Sequence, residues 1–81
     1  MVAIRGEISG IYYNSTEVLT PTTVILDEDP DTQYTLGNSD VQFAFSIYGE
    51  YKVGDYVILV CEVTQNSDGD YHYTVVDCAD Y

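Results

Sequence analysis

A chain of 81 residues with fourteen carboxylates against one arginine (Arg5) and one lysine (Lys52) carries a net charge of −12. That length admits one domain, residues 1–81, and not two, while 46% hydrophobic residues, nine of them tyrosine, exclude a disordered acidic tail. The charge also excludes partners that are held through phosphates, nucleic acid and anionic membranes alike, because those contacts need Lys and Arg.

No window shows helical periodicity beyond about two turns, whereas alternation and β-branched runs recur. The first element, Val2 to Tyr13, puts Val2, Ile4, Ile8 and Tyr12 on one face and Arg5, Glu7 and Ser9 on the other. Gly6 and Gly10 share the apolar parity, where glycine lets a strand coil sharply or another backbone come close. The pattern predicts the long, bent first strand of a small barrel. Asn14 to Pro21 reads as a polar loop, and its Asn14-Ser15-Thr16 sequon as chance.

Thr22 to Leu26 predicts a β-branched strand, running into a turn at Asp27-Glu28-Asp29-Pro30-Asp31 with four carboxylates in five residues. Gln33 to Leu36 predicts a short returning strand. After a break at Gly37 to Asp40, the alternation of Val41 to Ser46 predicts another strand with Val41, Phe43 and Phe45 inward. Ile47 to Asp55 contains Gly49 and Gly54, which leave room for at most a turn of helix.

Tyr56 to Gln65 and Asp70 to Cys78 predict a hairpin closed by Asn66-Ser67-Asp68-Gly69. Asp-Gly is the preferred pair of a type I′ turn. That turn sets Cys61 opposite Val76 and Leu59 opposite Cys78. One face then holds Val57, Leu59, Cys61, Val63, Thr74, Val76 and Cys78, and the other holds Ile58, Val60, Glu62, Tyr71, Tyr73, Val75 and Asp77. The fold class expected is all-β: a five- to six-stranded antiparallel barrel.

IRGEISGIYY, VQFAFS, KVGDYVILVCEV and a last strand ending in VVDC together resemble an OB-fold barrel. The resemblance is to the small bacterial group related to the anticodon-binding and single-strand-binding OB domains. Val53-Gly54-Asp55-Tyr56-Val57 is similar to the turn that enters the fourth strand in that group. The resemblance implies a strand face that binds single-stranded nucleic acid or oligosaccharide through aromatic and basic side chains. Tyr12, Tyr13, Tyr71 and Tyr73 fit it; the basic groove is lacking.

The longest apolar stretch, Tyr56 to Cys61, is far too short to span a bilayer, and MVAIRGEISG lacks the apolar run of a secretory signal. These features point to the cytoplasm, with Cys61 and Cys78 as unbonded thiols; two isolated cysteines make neither a disulfide framework nor a zinc site. His72, the one histidine, falls on the inward parity of the hairpin and has no nucleophile or carboxylate arranged about it in sequence. Counting a calcium loop from Asp27 puts Thr32 where glycine is needed and Asn38 where a bidentate carboxylate is needed, so the EF-hand pattern fails. Asn66, Asp68 and Asp70 follow turn chemistry. No cofactor, metal or catalytic residue is expected.

The remaining reading is a non-enzymatic binding protein whose carboxylates meet a basic protein surface and whose tyrosines supply contact area. The candidate residues are Asp27, Glu28, Asp29, Asp31, Glu62, Asp68, Asp70, Tyr71, Tyr73 and Asp77. A compact carboxylate array imitates nucleic-acid phosphates, as in phage or mobile-element inhibitors of restriction or CRISPR type. The alternative is an OB-type interaction domain of bacterial or halophilic origin, its charge serving solubility.

Overall fold

The computed structural model of the chain describes residues 1–14 and 20–81; Ser15 and Thr16 of the sequon, and most of the loop expected at 14–21, lie outside the described residues. Its elements are β1 (Val2–Tyr12), β2 (Thr23–Leu26), β3 (Asp29–Leu36), α1 (Ser39–Ala44), β4 (Tyr56–Gln65) and β5 (Tyr71–Asp80). The five strands close into a barrel in the order β1-β2-β3-β5-β4, an all-β architecture compatible with an OB-like barrel. Four of the neighbour pairs are antiparallel and β3–β5 is parallel, so the sheet is mixed.

β1 closes the barrel because its two halves serve different neighbours. Val2 to Glu7 pair with β4, and Ile8 to Tyr12 pair with β2. A bulge between Ile8 and Gly10 falls just after that change of partner, and a bulge bends a strand and turns the next side chains over. Ile11 therefore faces the core opposite Val24, while Tyr12 turns outward, 57% exposed, against the inward position that alternation predicts for it. Its ring folds back over Gly10: a Cβ there would lie 2.7 Å from the Tyr12 ring. Gly6 is covered in the same way by the Glu28 carboxylate.

Ile8, Val24, Leu26, Val57, Leu59 and Val75 fill the barrel. One end is plugged by α1, and this is the main departure from the sequence reading. Val41 and Phe45 do face inward, but Phe43 is 56% exposed. Positions 41 and 45 share a face at period 2 and again at helical spacing, so five residues cannot separate the two by alternation. The N-cap decides it. Asn38 Oδ1 accepts from the Val41 amide at 3.0 Å, and its Nδ2 donates to the Val76 carbonyl at 3.1 Å. Phe45 stacks on Tyr51, ring centroids 5.2 Å apart.

β3 begins earlier than expected, so the turn shrinks to Asp27-Glu28. Between the Val24–Tyr34 and Leu26–Asp29 pairs β2 advances two residues and β3 five. The surplus bulges outward and contains Pro30, whose missing amide hydrogen a bulge tolerates.

The last hairpin forms as expected, with a different turn. Gly69 has φ +89° and, among the described residues, no non-glycine has positive φ, whereas a type I′ turn requires it at both central positions. The Gly69 amide donates to the Asn66 carbonyl, and Asn66 pairs with Asp70 across a three-residue loop. This sets Cys61 opposite Val75 rather than Val76, and places Tyr71, Tyr73 and Val75 on the inner parity and His72 on the outer. A bulge between Val60 and Cys61 then restores Leu59 opposite Cys78.

Candidate functional site

The carboxylates gather in three regions of the surface. At the turn between β2 and β3, Asp27 and Glu28 are exposed beside Glu7. The Tyr56 phenol lies beside Glu7, and hydrogen bonding toward that carboxylate, more than the charges of Glu7, Glu28 and Asp27, holds its pKa above the ordinary phenol value. At the opposite seam, Glu50, Asp77 and Asp80 surround the half-buried Cys78. Asp77 Oδ1 accepts from the Cys78 amide at 2.8 Å, and the Asp80 carboxylate lies near the Tyr51 phenol.

The third region lies where β3 and β5 part. Their parallel ladder runs from Leu36–Val75 back to Tyr34–Tyr73. Upstream of that pair a cleft of about 460 Å³ is lined by Asp31, Thr32 and Gln33 on one side and by Asp70, Tyr71 and Tyr73 on the other. Four of the ten residues expected from sequence thus meet around one cavity. Tyr73 is half-buried and lies 5.5 Å from the Tyr34 ring, so it is not the freely exposed tyrosine that a type I′ register predicts. Tyr71 is 64% exposed.

Asp29 behaves differently. It accepts from Thr32 Oγ1 at 2.7 Å and lies near the Tyr34 phenol. Burial, then the Asp29 charge, pushes the Tyr34 pKa up to about 12. Asp29 is therefore a fastening of the fold. Glu62 is exposed opposite Thr74 on the outer face of the hairpin, and Asp68 is exposed at its tip. Neither belongs to the cleft lining.

Both cations are occupied away from this cleft. The Arg5 guanidinium lies over the Tyr81 ring at 5.8 Å, and Lys52 Nζ donates to the Ile47 and Gly49 carbonyls at 3.5 and 3.3 Å. Among the described residues no three His, Cys, Asp or Glu side chains converge as a metal set, and no helix is long and apolar enough to cross a membrane. His72 points outward opposite Thr64.

Sequence reasoning missed Glu7, Tyr34, Tyr51, Tyr56 and Asp80, which together with Asp29 set three phenols beside carboxylates. One signal does point to them. With two basic side chains for fourteen carboxylates, the hydroxyls of Tyr, Thr and Ser are the main side-chain donors left on the strands. Comparison of the chain with protein-family models, curated proteins and solved structures finds no match.

Proposed function

We propose that this barrel is an acidic binding protein that docks on a basic surface of another protein, occupying a channel built for nucleic-acid phosphates. The observation that supports it is the disposition of charge. The carboxylates of three regions face solvent, while Arg5 and Lys52 are engaged within the molecule. Such a surface attracts a basic channel over a distance and repels nucleic acid itself. The reading is of binding without a reaction, in the cytoplasm, with neither nucleic acid nor membrane as a direct ligand. Its finer form is an inhibitor of a DNA- or RNA-handling enzyme, of anti-restriction or anti-CRISPR type and phage or mobile-element origin, built on an OB-family barrel. The test is capture of partners on the immobilised protein, followed by elution with single-stranded DNA. Release of a nucleic-acid-handling protein supports the proposal; tight binding of the DNA by the barrel alone would sink it.

A second reading rests on a different surface. Phe43, Ile47, Tyr48 and Val53 are each more than half exposed at the α1 end of the barrel. Grouped apolar exposure of this kind marks an interaction face, and on this reading the charge serves solubility. A partner captured at high salt and lost on Ile47→Ser and Tyr48→Ser favours it over the acidic reading.

A further inference from the structure

The cleft between β3 and β5 differs from the other acidic regions in being a cavity with aromatic walls. We propose that it is a receptor for an arginine side chain of the partner, with the guanidinium stacked on Tyr71 and held by Asp31 and Asp70. The inference rests on the acidic-docking reading and names what that reading leaves open: the partner side chain and the place that takes it.

Three features select arginine. The cleft presents the Tyr71 and Tyr73 rings beside two carboxylates. A tyrosine face attracts a cation through its ring quadrupole, and arginine, planar and weakly hydrated, stacks better than lysine. Asp31 lies on β3 and Asp70 in the turn just before β5, and the five donors of a guanidinium reach two carboxylates where an ammonium acts as one point charge. No basic side chain of the protein lines the cleft, so its charge is unanswered from within.

The cavity also has a structural reason to exist. The β3–β5 ladder stops at Tyr34–Tyr73, and the Tyr34 phenol turns back to Asp29. The bulge around Pro30 carries residues 30–32 outward, and the three-residue turn puts Tyr71 and Tyr73 on the side of the hairpin that faces them. The walls are strands, and Tyr73 is braced by the Tyr34 ring. About 460 Å³ falls within the range of small-ligand sites, roughly 300–1,000 Å³.

The experiment follows amide chemical shifts of the whole protein during titration with a short blocked peptide holding one central arginine. The same peptide with citrulline, which is neutral and nearly isosteric, is the control, and poly-arginine serves as the general basic probe. The arginine peptide is expected to move residues 31–33 and 70–73, and citrulline to leave them in place. Asp31→Asn with Asp70→Asn, and separately Tyr71→Ala, weaken binding by about tenfold. Asp27→Asn with Glu28→Gln, which removes the same charge elsewhere, changes it by about twofold or less. Equal loss in the two charge-matched double variants overturns the receptor. So does poly-arginine binding without any arginine-peptide response at the cleft, which leaves the acidic-docking reading standing. Failure of poly-arginine to bind at low salt removes both.

Discussion

The buried Tyr34 phenol lies close to the carboxylate of Asp29, five residues before it on the same strand. Tyr51 near Asp80 and Tyr56 near Glu7 repeat the arrangement between elements. A phenol beside a carboxylate keeps its proton, because a phenolate there would meet a like charge. The abundance of tyrosine and the shortage of lysine are in this sense one design: neutral side chains stand beside the acidic groups.

Burial of two of these phenols sets an alkaline limit. The pKa values of Tyr34 and Tyr51, both buried, are pushed up to about 12, from an ordinary 10. A folded-state pKa above the unfolded value stabilises the protein fully below the unfolded pKa. That stability is lost as pH rises through the folded one. Denaturant midpoints should hold up to pH about 10 and fall towards about 12. Tyr34→Phe should show a shallower fall, and equal slopes would remove Tyr34 from this account.

Neutralising carboxylates should separate two roles. Asp27→Asn, Glu28→Gln and Asp31→Asn together relieve self-repulsion and should raise the denaturant midpoint at low salt, with the gain shrinking as salt rises. Asp29→Ala should lower it by about 1 kcal/mol, because Thr32 loses a charged acceptor. Chemical denaturation of the two variants side by side checks this, and a shift of the same sign in both would contradict it.

The helix cap is a third test. Asn38→Ala removes the acceptor of the Val41 amide and the donor to Val76, and should cost about 1–2 kcal/mol. Asn38→Asp keeps the cap and loses the donor, so its denaturant midpoint should fall between wild type and alanine.

Gly49 and Gly54 should respond in opposite order to what their backbones alone suggest. Gly54 has φ +100° and open space around it, so alanine costs about 1 kcal/mol of strain. Gly49 has no such φ, but a Cβ would run into the Ala44 and Phe43 carbonyl oxygens. Both are backbone atoms at the end of α1 that cannot step aside. Gly49→Ala should be the more damaging, at about 2–3 kcal/mol, measured as the shift in unfolding midpoint.

The thiols should differ in accessibility. Cys61 and Cys78 are free, and burial pushes Cys61 up to about 11. At neutral pH a thiol reagent should label Cys61 only as the protein unfolds, with half-buried Cys78 reacting first. Rapid labelling of both in the native state would place Cys61 outside the core.

Much of the barrel was legible in the sequence because its elements are local. The bend of β1, the β-branched run of β2 and the final hairpin each carry their own alternation and turn residues. Misreadings arose where one residue changes a period. A bulge at Ser9 turned Tyr12 outward, and a three-residue rather than two-residue turn moved Tyr71 and Tyr73 to the inner parity. VQFAFS was ambiguous because Val41 and Phe45 coincide under either period, and the Asn38 cap that resolves it was read only as a break. The cleft was half legible. Asp31, Asp70, Tyr71 and Tyr73 were all named, but their meeting depends on a parallel ladder between strands far apart in the chain, which no local pattern records.

The division of β1 between two neighbours also governs the order of events in folding. Val2 finds its partner only in Cys61, and β3 is held on its second side only by residues 73–75. On a ribosome the first strand leaves the exit tunnel long before either exists, and its early contacts are limited to β2. Loop closure over such separations is slow, as for other chains rich in distant pairings. The barrel therefore assembles late and in one step, and until then its exposed strand edges are kept from other chains by mutual charge repulsion.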